Sequence, residues 1–244
     1  MVMKKLVPGL VAHIANLLVC ATAANGATLL HQYDFTAAVT DVFGSQNGTL
    51  FGDANVSGGR LNLDGSGDYV QFATSIIPTS GSYSVTLFGQ RNANQATFTE
   101  IISQGQSGGP GFYLGTNPAG NVRVGDLWAA TGVPFGAVGS LTSYALVVDA
   151  VAATSKLYVN GAIAGSLSTA VTIGASGTAT RLGRQFTLID EYFNGSLDDL
   201  RIYSGALTSQ EVSLIATAMP EPETYALLAS GLGVLAVAVR RRKR

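Results

Sequence analysis

Two histidines, one cysteine and fifteen acidic residues are the whole stock from which this chain of 244 residues could build a catalytic or metal centre. The run from Gly105 to Gly109, GQSGG, spells Gly-x-Ser-x-Gly, a turn that presents a nucleophilic serine when a helix follows. Here Pro110 and the strand-like GFYLG follow, Gln106 stands where a serine-protease loop carries an acid, and no histidine occupies a partner position. The stretch reads as a loop. Glycoside hydrolysis needs only two carboxylates at a suitable separation. Glu100 stands alone in TFTEIISQ, and the pairs Asp190-Glu191 and Asp198-Asp199 are adjacent, so a strand would turn their members to opposite faces. Asp64-Gly-Ser-Gly-Asp68 imitates the opening of a calcium loop, but Tyr69 takes the glycine position and Ser75 that of the closing acid. It reads as a tight hairpin. No catalytic residue is expected, and an enzyme is not.

Aromatic side chains offer different chemistry. Ring faces stack on the apolar faces of sugars while polar neighbours set orientation. Tyr83, Tyr113, Trp128 and Tyr192 are available, and Trp128, close to Asp126 in GDLW and followed by a loop, is the first choice, with Tyr113 next.

The ends of the chain say where such a surface works. Residues 1–26 run from Lys4 and Lys5 through the apolar LVPGLVAHIANLLVC to the small residues ATAANG, the three regions of a secretory signal peptide. His13 and Asn16 interrupt a stretch already too short for a transmembrane anchor. Its removal takes away Cys20 and His13, leaving no thiol and only His31, which sits in the alternating LLHQYDF as a half-exposed structural histidine. At the other end, residues 218–244 form a tail: Pro220-Glu221-Pro222, an uncharged run over 225–239, and Arg240, Arg241, Arg242, Lys243 and Arg244. Fifteen residues make about 22 Å of helix against a hydrocarbon core of about 30 Å. The short span relies on snorkelling cations, whose excess fixes the C-terminus on the cytoplasmic side of the inner membrane.

Between the ends, residues 28–219 carry seven Lys and Arg against thirteen Asp and Glu, a net charge of −6. A domain of that balance without a basic stripe is a poor partner for nucleic acid. Its sequence alternates short β-rich segments, SYSVTLFGQR, TFTEIISQG, GFYLGTN, NVRVGDLW, SYALVVDA and KLYVNG, with Gly, Asn, Ser or Pro punctuation. Asn160-Gly161 between apolar runs predicts a hairpin, and Asn47-Gly48 and Asn194-Gly195 read as further turns. One helix is predicted from Ser209, with Thr208 and Glu211 as a capping box and Leu207 and Val212 as the staple.

These residues carry two resemblances. The proline-flanked acid, apolar run and terminal cations together resemble the PEP-CTERM sorting signal of Gram-negative bacteria. That resemblance implies recognition and removal of the tail by exosortase, in a species that makes extracellular polysaccharide or biofilm. Residues 28–217, through HQYDF, SQNGTL, GGRLNLDGSGDYVQF, SYSVTLFG, GFYL, KLYVNG and FNGSLDDLRIYSGALTSQEV, resemble the laminin G-like, concanavalin A-like jelly roll. The implied fold is all-β, two packed antiparallel sheets with the first and last strands adjacent. The resemblance also implies one structural calcium, held by Asp198 of the last strand and by the loop from Asp41 to Gly48. The alternative keeps Asp198 and Asp199 as exposed acids paired with Arg201.

The combined reading is an exported, non-catalytic module that binds glycan or another matrix component at the cell surface. A structural matrix protein without a small ligand is the alternative, and a divergent glycoside hydrolase the weaker one.

Overall fold

The computed structural model describes residues 26–105, 111–125, 128, 131–171, 173, 179–185 and 190–218. Residues 1–25, expected to be a signal segment, the Pro220-Glu221-Pro222 motif, the 225–239 run, the cations at 240–244 and Asp126 lie outside the described residues. No helix among the described residues is long and apolar enough to cross a membrane.

The described chain folds into two antiparallel sheets packed face to face. The larger holds β1 (Thr28–Tyr33), β3 (Asn55–Ser57), β4 (Arg60–Asp64), β6 (Tyr83–Arg91), β10 (Thr142–Asp149), β11 (Thr154–Val159), β12 (Ala162–Leu167) and β14 (Asn194–Ser204). The other holds β2 (Gly48–Phe51), β5 (Tyr69–Phe72), β7 (Thr99–Gly105), β8 (Gly111–Thr116), β9 (Val122–Val124) and β13 (Arg181–Leu182), in the order β2-β5-β13-β7-β8-β9. As the jelly-roll resemblance implies, β1 lies beside β14.

Period-two alternation builds the core between the sheets. One row of the smaller sheet, Val70, Leu182, Ile102, Leu114 and Val124, is in register across five strands and faces inward. Leu61, Leu63, Val85, Leu87, Leu146 and Val148 meet it from the larger sheet. Strand β10 is buried on both sides because α1 (Ser209–Thr217) lies on its outer face. Val212 and Ile215 pack there on Ala145, Val147, Tyr158 and Tyr203. Each such buried aliphatic contributes roughly 1.5–3 kcal/mol. The capping box forms as predicted: the Thr208 N–H donates to Glu211 Oε2 at 2.7 Å and the Glu211 N–H donates to Thr208 Oγ1 at 3.2 Å.

The hairpin at Asn160-Gly161 also forms, joining β11 to β12, and both residues have positive φ, 50° and 78°. The other two Asn-Gly pairs are not turns. Gly48 opens β2, and Asn194 and Gly195 open β14. A Cβ at Gly195 would collide with the Gln90 carbonyl and the Phe193 ring, so close packing rather than turn geometry asks for glycine there. Nor is Asp64–Asp68 a hairpin. β4 belongs to the larger sheet and β5 to the smaller, so the segment is a corner that carries the chain across the sandwich. Asp68 fixes that corner by accepting the backbone N–H groups of Asp53, at 2.8 Å, and Asp64, at 3.0 Å.

Candidate ligand-binding site

On the face of the smaller sheet turned away from the core, a second row stands in register beside the apolar one. It runs Thr49, Gln71, Arg181, Ser103, Tyr113 across β2, β5, β13, β7 and β8. Glu100 on β7 and Arg123 on β9 extend it. An exposed polar face is the ordinary arrangement for an antiparallel sheet. This one is not exposed throughout.

A segment of chain lies over it. Gly183 and Phe193 are tied at the segment's base, where the Phe193 N–H donates to the Gly183 carbonyl at 3.0 Å. The face then anchors the described parts of the segment through its backbone. Ser103 Oγ donates to the Arg184 carbonyl at 2.7 Å, Arg181 Nη1 to the Gln185 carbonyl at 3.1 Å, and the Glu100 N–H to the Glu191 carbonyl at 3.1 Å.

Beneath the segment, Arg123 organises a buried ionic cluster. Its Nη1 lies 3.0 Å from Glu100 Oε1 and 3.4 Å from Glu191 Oε2. The guanidinium sits 4.6 Å from the ring centroids of both Phe98 and Tyr113. Gln185 Nε2 adds a donor to Glu191 Oε2 at 3.2 Å. Glu100 is fully buried. A charge taken out of water this completely persists only when paired and hydrogen-bonded, and here both carboxylates are committed to one cation. The cluster joins β7, β9 and Glu191 through one cation.

The accessible part is the rim beside it. Phe51 and Tyr69, cross-strand neighbours on β2 and β5, lie with their ring planes 3° apart and their centroids 4.7 Å apart. Phe51 is 38% exposed. Arg181 stands 5.5 Å and Arg184 5.2 Å from the Tyr69 ring, and Arg184 also lies 5.0 Å from the ring of Tyr192. A cation within about 6 Å of a ring centroid is attracted to the ring face, and a guanidinium held there can still donate from its edge. The result is a strip of three rings, the exposed Phe51 and the half-buried Tyr69 and Tyr192, with the half-buried Arg184 between the last two.

The aromatic residues that the sequence offers as ligand contacts occupy other positions. Trp128 belongs to the main core and packs against Gly165 of β12, where an added Cβ would lie 3.0 Å from the ring, so the indole is not presented to solvent. Tyr83 is also core, its hydroxyl donating to the Val171 carbonyl at 2.7 Å. Tyr113 does lie on the outer face, but under Arg123. Tyr192 is on the rim. Phe51 and Tyr69 carried no motif, and only the pairing of β2 with β5 brings them together.

The early-loop and last-strand acids are buried rather than exposed. Asp41 Oδ1 accepts the backbone N–H groups of Gln32, Phe43 and Gly44, and Oδ2 accepts that of Gln46 and lies 2.6 Å from His31 Nδ1. Burial pushes this carboxyl up, but the hydrogen bonds from Gln46, His31, Gly44 and Gln32 outweigh it and hold the group below the usual range. A carboxylate ringed by N–H donors already has its lone pairs occupied, which does not fit a calcium ligand. Gly48 is taken up in β2, its N–H donating to the Val39 carbonyl at 2.9 Å. Asp198 sits at a bulge in β14, where Asp199 has a φ of 40°, and accepts the Asp199 N–H at 2.7 Å. Burial first, then the neighbouring Asp199 and Asp34, push its carboxyl up to about 7, against the Asp199 N–H and Arg60. The ion pair with Arg201 exists, through Asp199, at 2.7 Å. Among the described residues the acids that do converge are Asp53, Asp64 and Asp68, at the inter-sheet corner.

Comparison with known proteins now decides the family. The family description for the concanavalin A-like lectin/glucanases superfamily matches residues 64–213, more than half of the chain. The chain belongs to that superfamily. The PEP-CTERM protein-sorting motif matches residues 220–243. A concanavalin A-like domain followed by this signal marks an exported protein processed by exosortase. No curated protein sequence matches the chain. Among solved structures, the concanavalin A-like domain is similar to domain 4 of AbnA, a GH43 extracellular arabinanase from Geobacillus stearothermophilus, in complex with arabinotriose. The TM-score is 0.65 and the identity 23%, over 78% of this chain and 99% of that one. It is also similar to Trypanosoma rangeli sialidase, with a TM-score of 0.60 and 14% identity over 80% of this chain, and it spans 33% of the sialidase. The binding domain of botulinum neurotoxin serotype D matches with a TM-score of 0.56 and 12% identity over 78% of this chain, which spans 52% of it. At these identities the likeness is one of fold.

Proposed function

We propose that the exported domain is a non-catalytic glycan-binding module of an extracellular polysaccharide matrix, delivered through an inner-membrane stage by its C-terminal signal. The observation that carries this reading is the Phe51–Tyr69 stack, continued by Arg184 and Tyr192 along one rim of the smaller sheet. Half-buried rings backed by the sheet offer flat apolar area at little cost in side-chain entropy, and the guanidinium edges supply directional donors. That combination suits sugar rings, which present an apolar face and a polar edge. The arabinotriose complex of the AbnA domain supports the reading at the level of fold.

The non-catalytic part of this reading is supported by the acids of the site. Glu100 and Glu191 are both engaged by Arg123, and Asp198 and Asp199 belong to the other sheet. A glycan array and pull-down with the host's matrix polysaccharides test the module. Binding of at least one polysaccharide at submillimolar strength, with no release of reducing sugar, is the expected result. Failure to bind any of them leaves the purely structural matrix role, and sugar release restores the hydrolase.

A further inference from the structure

Three of the domain's seven cations, Arg123, Arg181 and Arg184, stand on the outer face of the smaller sheet of an otherwise acidic domain. Arg123 is neutralised by Glu100 and Glu191. The other two share the Tyr69 ring, at 5.5 and 5.2 Å. Among the partners of Arg181 are the neutral acceptors Gln71 Oε1 and the Gln185 carbonyl, both at 3.1 Å. Arg184 Nη2 is held by Asp190 at 3.2 Å, but that carboxylate is 75% exposed. Arg184 Nε is buried without a hydrogen-bond partner. Burial and then the charge of Arg184 lower the pKa of Arg181, so the two cations strain against each other. An exposed ion pair such as Arg184–Asp190 is worth little in water and is readily exchanged. The arrangement therefore sets Arg184 between two half-buried rings, Tyr69 and Tyr192, with Arg181 nearby on the Tyr69 ring and the largely exposed Asp190 as the anion on Arg184.

We infer that Arg181 and Arg184, with Tyr69 and Tyr192, form a subsite for the carboxylate of an acidic sugar, so that the module prefers uronic-acid polysaccharides to neutral ones. This rests on the glycan-binding reading and adds the class of ligand. The planar guanidinium fork matches a carboxylate in two parallel hydrogen bonds, and the sugar ring behind that carboxylate falls against Tyr69 or Tyr192. Asp190 occupies the place that the ligand's carboxylate takes. The domain's net negative charge does not forbid this, because at physiological salt charges beyond about 8 Å are largely screened.

The test is a pair of polymers, polygalacturonic acid and its carboxyl-reduced form, titrated against the purified exported protein. Wild type binds the acidic polymer about ten-fold more tightly than the reduced one, and the preference shrinks as sodium chloride rises from 50 to 500 mM. Arg184→Gln, with its fold checked by thermal melting, brings the ratio to about one. Asp190→Asn, on an exposed side chain with nothing to unfold, raises affinity for the acidic polymer several-fold. Equal binding of both polymers by wild type, a ratio unmoved in Arg184→Gln, or no gain in Asp190→Asn overturns the acidic subsite and leaves the glycan module standing. If neither these polymers nor the host's own polysaccharides bind, the module itself is overturned.

Discussion

Glu100 and Glu191, from distant parts of the sequence, meet on the guanidinium of Arg123, at 3.0 and 3.4 Å. The meeting ties Glu191 to the outer face of the smaller sheet. Arg123→Met keeps the bulk but leaves Glu100 a buried carboxylate without its cation. Chemical unfolding is expected to show a loss of about 3–5 kcal/mol. A loss below about 1 kcal/mol would mean that the cluster does not hold the segment.

Asp198 and Asp41 give stability opposite dependences on pH. The Asp198 carboxyl is raised from 3.8 to about 7, so the folded state binds its proton more tightly than the unfolded one, and the stability this adds below pH 4 is lost as pH climbs through 7. Asp198→Asn removes that loss. Relative to wild type, the variant gains on the order of 4 kcal/mol between pH 4 and pH 8. Asp41, held below its usual range, adds stability that is present at neutral pH and lost in acid. The cost of Asp41→Asn is therefore expected to shrink as pH falls below 4. Urea midpoints across pH 3 to 8 check both slopes, and parallel profiles for wild type and Asp198→Asn would contradict the first.

Thr208→Ala removes the acceptor for the Glu211 N–H and is expected to cost about 1 kcal/mol. Because Val212 and Ile215 seal one outer face of β10, the loss appears in global unfolding as well as in helix content.

Calcium over chelator is expected to shift the melting temperatures of wild type and Asp41→Asn equally, since Asp41 already accepts its full set of N–H donors. A site loaded at a hundred times its Kd would add about 2.7 kcal/mol. A rise of several degrees in wild type that Asp41→Asn lacks would show that the fit argument is wrong.

How much of this was legible beforehand depended on the range of the interaction. The Asn160-Gly161 hairpin and the Thr208–Glu211 box are local, decided by residues within three positions, and sequence reads them correctly. Asp64–Asp68 has the composition of a hairpin turn, but composition does not say whether the following strand returns to the same sheet or crosses to the other. Trp128 near a loop looks presentable, yet the loop returns its ring to the core beside Gly165. The Phe51–Tyr69 pair and the Arg123 cluster depend on strand order and register across the smaller sheet, which no spacing in the sequence encodes.

The central claim is that the rim built on Tyr69 binds polysaccharide. Titration of the host's matrix polysaccharide into wild type and Tyr69→Ala, both first shown to melt cooperatively, tests it most directly. The account predicts submillimolar binding by wild type and a loss of at least ten-fold, about 1.4 kcal/mol, in the variant. Equal affinity in the two proteins would contradict it.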